Sequence, residues 1–204
     1  MAVISVLLAE DQHTVRGALA ALIGLEADLE VVAAVETGDA AVPAALESRP
    51  DVAVLDIDMP GALDGLAAAS AIRERLPSCR TLILTGYGKP GHLRRGLQVQ
   101  VDGFLLKTAP PEDLCAAIRT VAAGERVLDP ALAVTAWELA DNPLTRRETE
   151  VLRLVAGGAE ATEIARDLRL TAGTVRNYLT GIVAKLNARN RTDAARIATE
   201  SGWI

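Results

Sequence analysis

Residues 1–122 alternate between two hydrophobic periods. Val3–Leu8, Glu30–Ala34, Val52–Leu55, Thr81–Leu84 and Gly103–Leu106 are short apolar runs, rich in β-branched residues or leucine and almost unbroken by polar ones. Such runs fit parallel strands buried on both faces, because neither face meets water. Between them apolar positions recur at helical spacing. Gln12–Gly24 places Val15, Leu19, Leu22 and Ile23 on one face. Thr37–Ser48, Leu66–Leu76, Gly91–Gln100 and Pro111–Ala122 fill the other intervals, and Pro111 suits a first helical turn. Five strands alternating with five helices predict an α/β unit with a doubly wound, five-stranded parallel sheet, ending near residue 122. On the helix over Pro111–Ala122, periodicity leaves Leu114, Ile118 and Val121 open as core or interface.

Residues 123–142 predict a linker holding a short helix, and its stretch AVTAWELA is apolar enough to dock. From residue 143 to 204 no strand pattern remains. Arg146–Ala156, Glu160–Leu168, Ala172–Leu186 and Thr192–Ser201 predict an all-α domain of four helices. Gly157-Gly158 separates the first two, and Thr171 suits an N-cap for the third. Two short helices, a tight turn and a longer helix form the helix-turn-helix pattern.

Composition narrows the function. The 204 residues are half apolar, enough for two small domains. No apolar run approaches the ~18 residues of a membrane span, and MAVISVLLAED lacks the basic start and cleavage site of a signal peptide. A cytoplasmic protein without membrane insertion is expected, with Cys79 and Cys115 as reduced thiols. Aromatic residues make up 2%, which argues against a nucleic-acid surface built on stacked rings. The charge is uneven. Residues 1–140 carry 11 Lys+Arg and 19 Asp+Glu, residues 141–204 carry 10 and 8, giving net −8 and +2. An acidic front and a mildly basic tail suit different partners.

The candidate chemistry lies at strand ends. In an open parallel sheet, reactive groups gather beyond the carboxyl ends of the strands. Here those ends carry Glu10-Asp11, Asp56, Thr85 and Lys107. A strand order 2-1-3-4-5 would assemble three carboxylates, a hydroxyl and an ammonium. Packed carboxylates repel unless protonated or neutralised by a cation. An all-oxygen donor set suits Mg²⁺. With a metal and Lys107 to neutralise phosphoryl oxygens, a carboxylate nucleophile would form an aspartyl phosphate.

EDQ at 10–12, LDIDMPG at 55–61, ILTGY at 83–87 and GFLLK at 103–107 resemble the receiver domain of bacterial response regulators, in order and at proper intervals. The resemblance implies a flavodoxin-like fold with Asp56 as phosphoacceptor. It implies Mg²⁺ held by Asp11 and Asp56, with Glu10 assisting through water and Asp58 giving its backbone carbonyl. Lys107 would contact the phosphoryl group. Thr85 would swing onto a phosphoryl oxygen while Phe104 turns inward, the switch of such domains. One departure stands out. Receivers of this type place a small Ala-Gly pair where Val99-Gln100 stand. A left-handed Gln100 would cost about 1 kcal/mol, so a different helix end is expected. The DxD motif also resembles haloacid-dehalogenase-type phosphatases. Those want it near the first strand with acids downstream, whereas here the acidic pair lies upstream.

Residues 142–195 resemble the LuxR-type helix-turn-helix: LTRRE, EIA, GTVRNYL, KLNARNR and the closing GW sit at that family's intervals. On Ala172–Leu186, the residues Val175, Leu179, Ile182, Val183 and Leu186 share an inner face, leaving Arg176, Asn177, Thr180 and Gly181 outside. Arg can read guanine and Asn adenine in the major groove. The resemblance implies base contacts by Arg176, Asn177 and Thr180. Phosphate contacts would come from Thr174, Tyr178 and Lys185, helped by Thr145, Thr162, Arg189 and Arg191. A tail of only +2 implies modest affinity for one copy, so a dimer on two half-sites is expected, with Thr192–Ser201 at the contact. The receiver would dimerise too, through its first and fifth helices or its fourth helix and fifth strand.

The whole chain thus resembles a two-component response regulator of the NarL/FixJ class, most like DesR-type regulators. It would be no enzyme beyond Mg²⁺-dependent self-phosphorylation and slow autodephosphorylation. Its partners would be a sensor histidine kinase, double-stranded promoter DNA and, once phosphorylated, a second copy of itself. The alternative is a phosphorylation-independent DNA-binding regulator whose receiver only dimerises.

Overall fold

A computed structural model describes residues 3–86, 90–137 and 142–204. The chain forms two compact units, one ending at Trp137 and the other running on to Ile204.

Up to Trp137 the described residues alternate strand and helix. In order they are β1 (Ile4–Ala9), α1 (His13–Ile23), β2 (Leu29–Val35), α2 (Gly38–Ser48), β3 (Val52–Asp56), α3 (Gly65–Arg75), β4 (Arg80–Thr85), α4 (Pro90–Val99), β5 (Gly103–Leu106), α5 (Pro111–Ala122), β6 (Val127–Leu128) and α6 (Pro130–Trp137). The sheet runs β2-β1-β3-β4-β5-β6 and every pairing is parallel. Alternation along each strand sorts the core into two layers. Val6, Leu8, Val52, Val54, Leu82, Leu84 and Leu105 pack with Ile23 of α1 and with α5. Leu7, Ala53, Leu55 and Ile83, fully buried, point the opposite way, toward the side of α2 and α3. Each fully buried aliphatic side chain contributes about 1.5–3 kcal/mol. Leu114, Ile118 and Val121 of α5 belong to this core, which decides between core and interface for them.

Two features of this unit differ from the sequence pattern, the strand after α5 and the end of α4. The segment after α5 does not run free: β6 pairs with β5 as a sixth strand. Buried Asp129 fastens it, donating its N–H to Phe104 O at 2.9 Å and accepting Leu106 N–H on Oδ2 at 3.1 Å. The apolar stretch AVTAWELA begins within α6, and from Val134 onward its side chains lie outside the described residues. Second, α4 does not end differently for want of glycine. Gln100 adopts the left-handed conformation (φ 57°). Arg73 of α3 supports it, donating to Val99 O (3.0 Å) and Gln100 O (2.8 Å) and to the Gln100 side chain. Charge-assisted bonds of this kind offset the local backbone cost.

The second unit holds α7 (Arg146–Ala156), α8 (Ala161–Asp167), α9 (Ala172–Lys185) and α10 (Arg191–Glu200). Thr145 and Glu148 close a capping box on α7, and Thr171 and Asn190 cap α9 and α10 by accepting backbone N–H groups. Gly158, at φ 86°, makes the turn between α7 and α8. Val151, Leu152, Ile164, Val175, Leu179 and Ile182 form the core, with Trp203 and Ile204 packed on it.

Candidate functional site

β1 and β3 are neighbours, yet the chain leaves them toward opposite sides of the sheet, β1 for β2 and β3 for β4. The crevice beyond their carboxyl ends is the topological switch point of such a sheet. Ala9 pairs with Leu55, so Glu10-Asp11 and Asp56 emerge side by side.

Close packing aims Asp56. A Cβ on Gly65 would overlap the Asp56 carbonyl, so only glycine lets α3 begin there. Asp39 of α2 holds the intervening loop by accepting Ala62 N–H at 2.8 Å and Leu63 N–H at 3.3 Å. Asp64 caps α3 through Ala67 N–H at 2.8 Å and is forked by Arg95 of α4 at 2.7 and 3.1 Å. Within this frame Asp56 is 4% exposed; its Oδ1 accepts Ile57 N–H at 2.8 Å. Lys107 Nζ lies 3.0 Å from Asp56 Oδ2 and 2.6 Å from Glu10 Oε2. Burial pushes the Glu10 carboxyl above its usual range despite Lys107. Burial also opposes the Lys107 charge, but the Glu10 and Asp56 carboxylates overcome it and hold the ammonium above its ordinary value.

Ligand oxygens of Glu10, Asp11 and Asp56 all lie within 4.8 Å of one another. Asp11 Oδ1 is buried with no hydrogen-bond partner. A buried acceptor left unmatched is costly, and three converging carboxylates fit a small hard cation. Asp58 is exposed and its carboxylate is not among the clustered ones. Thr85 is buried, and its carbonyl accepts Lys107 N–H at 2.8 Å. Phe104 is already inside, against α4: a Cβ on Gly96 would overlap its ring.

In the second unit α9 divides as its period implies. Val175, Leu179 and Ile182 are buried, while Arg176, Asn177 and Thr180 are exposed. Arg176 Nε donates to Ala172 O at 3.3 Å and Thr180 to Arg176 O at 3.0 Å, so neither is tied to another helix by these bonds. Tyr178 packs partly against the core, and Thr174 bonds the Thr171 hydroxyl at 2.8 Å. The other residues expected at phosphates hold internal partners. Lys185 pairs with Glu148 (2.7 Å), Arg189 with Asp193 (3.2 Å) and Arg191 with Glu160 (3.0 Å). Thr145 is spent in the α7 cap, and Thr162 is exposed.

Asp193 has a testable consequence. Hydrogen bonds from the Arg189 side chain and N–H, then from Arg196, hold its carboxyl well below the usual 3.8. A depressed folded-state value gives stability that is present above the unfolded value and lost as pH falls. The thermal midpoint of the tail is therefore expected to drop between about pH 5 and pH 2. Calorimetry of Asp193→Asn should show a flatter pH dependence; an unchanged slope would put that sensitivity elsewhere.

Sequence patterns did not reveal the clamps formed by Arg16, Asp39, Arg73 and Arg95. A basic residue five positions after an acidic pair was the available signal for Arg16.

The comparisons with known proteins agree across the chain. Residues 6–119 match the response regulator receiver domain, and residues 142–198 match the bacterial regulatory proteins of the luxR family. The transcriptional regulatory protein DesR of Bacillus subtilis is 44% identical over 201 residues, spanning 98% of this chain and 99% of that relative. The response regulator RamR of Streptomyces coelicolor is 38% identical over 206 residues, with 98% of each chain covered. RcsB of Salmonella enterica serovar Typhimurium, solved on promoter DNA with the phosphomimetic BeF3−, superimposes with a TM-score of 0.73 at 25% identity. That match covers 97% of this chain and 98% of RcsB.

Proposed function

The chain belongs to the two-component response regulators that join a receiver to a LuxR-type DNA-binding domain, and from that premise we propose that Asp56 is the phosphoacceptor controlling promoter binding by α9. The observation that carries this reading is the convergence of Glu10, Asp11, Asp56 and Lys107 at one crevice. A sensor histidine kinase would donate from a phosphohistidine. The phosphorus–nitrogen bond breaks, a bond from an Asp56 carboxylate oxygen to phosphorus forms, and the imidazole leaves. Glu10, Asp11 and Asp56, with the backbone carbonyl of Asp58, would hold Mg²⁺, which supplies positive charge against the phosphoryl oxygens. Lys107 faces the same oxygens once they draw it from Glu10. Thr85 donates its hydroxyl to one of them, and Phe104, seated against Gly96, holds α4 in the matching position. A second copy then joins, and paired α9 helices read two half-sites. The protein works in the cytoplasm, and no helix among the described residues is long and apolar enough to cross a membrane.

Acetyl phosphate tests the acceptor directly. Full-length protein with Mg²⁺ should gain one phosphoryl group by intact mass spectrometry. Omitting Mg²⁺ or changing Asp56→Asn should abolish it. Undiminished labelling of the variant would move the acceptor to another residue.

A further inference from the structure

α1 begins without a side-chain cap, since the Gln12 side chain at its N-cap accepts no helix N–H. The turn that must aim Glu10 and Asp11 is held from inside the helix instead. Side chains on a helix lean toward its N-terminus, so a long one at the end of the first turn reaches back over the preceding loop. Arg16 does this. Its Nη1 donates to Glu10 O at 2.6 Å and Asp11 O at 3.4 Å, and its Nη2 to Glu36 Oε1, past the end of β2, at 2.7 Å. The guanidinium is mostly buried, with its side chain 11% exposed. Glu10 N–H donates to Val35 O at 3.1 Å, which fixes the other side of the same turn.

We propose that Arg16 is a positioning residue of the cation site: by gripping the carbonyls of both acids it sets their peptide planes, and so the convergence of their carboxylates with Asp56. A planar fork can hold two adjacent carbonyls and a carboxylate at once, whereas an ammonium cannot match that geometry. The inference rests on the reading of Glu10, Asp11 and Asp56 as the Mg²⁺ site. Its direction is diagnostic. A cation beside carboxylates opposes metal binding by Coulomb repulsion, so removing charge alone would tighten the site. Removing a support that orients ligands weakens it, typically by about 10–100-fold.

Mn²⁺ binding to the full chain can be read from the free-ion paramagnetic resonance signal, with Mg²⁺ as competitor, well below the melting temperature. Wild type should bind and Asp11→Asn should lose affinity. Arg16→Met and Arg16→Lys should each bind at least about tenfold more weakly, with unchanged circular dichroism. Should Arg16→Met fail to fold, Arg16→Lys, which keeps the charge, decides alone. Either folded variant binding as tightly as wild type, or tighter, overturns the role of Arg16. Asp11→Asn binding like wild type, or no binding by wild type, overturns the cation site itself and the inference with it.

Discussion

Asp56→Ala removes the gain in mass that beryllofluoride confers on the wild-type protein. With Mg²⁺ and beryllofluoride, light scattering of the full chain should show about a twofold rise from monomer to dimer. Without the Asp56 carboxylate, the beryllium has no oxygen to complete its tetrahedral mimic of a phosphoryl group. The effect is all-or-none because the ligand acts only through its preference for one of two arrangements. On the proposed reading that preference would be created at Asp56, which Lys107 pairs at 3.0 Å, and read at Thr85 on β4 and Phe104 on β5. A variant that still doubles its mass would mean the anion acts elsewhere. A wild type that does not respond, yet binds DNA, would favour phosphorylation-independent regulation.

The strands and helices were legible because burial writes itself into sequence at two periods. β3 is buried at all five positions, and its first four, Val52–Leu55, read as an unbroken apolar run. The amphipathic α7 and α9 read by their 3.6-residue spacing. Strand order placed the acids, since a parallel sheet collects its carboxyl ends on one side. What stayed hidden has no period. β6 is two residues long and exists because Asp129 splices the chain onto β5. Gln100 looked unsuited to a left-handed helix end, and nothing local reveals that Arg73, 27 positions earlier, would support it. Arg16, Asp39 and Arg95 likewise act across loops, where contact depends on tertiary placement. The residues expected at phosphates rest on motif alone, and the carboxylate partners of Lys185, Arg189 and Arg191 appear only in the folded chain.

Those partners sharpen what is expected on DNA. Arg176→Ala and Asn177→Ala should each abolish discrimination at one base position while leaving non-specific binding nearly intact. A good bidentate pair contributes about 1–3 kcal/mol of discrimination, so each loss should cost roughly 5- to 150-fold in specific affinity. A symmetric dimer carries each change twice, which pushes the observed effect toward the upper end. Both side chains stand on the exposed face of α9, opposite Val175 and Leu179, so truncation leaves the core undisturbed and the melting temperature unchanged. Arg191→Ala should behave differently. Free in solution its guanidinium faces Glu160, so any phosphate contact must first displace that carboxylate. Its loss should weaken all sequences alike and lower the slope of log K against log salt by less than the full unit of an unpaired cation. Fluorescence anisotropy with promoter DNA and with scrambled duplex, at several salt concentrations, separates the two behaviours. If Arg176→Ala weakened both duplexes equally, Arg176 would be a backbone contact, and the base-reading face of α9 would have to lie elsewhere along the helix.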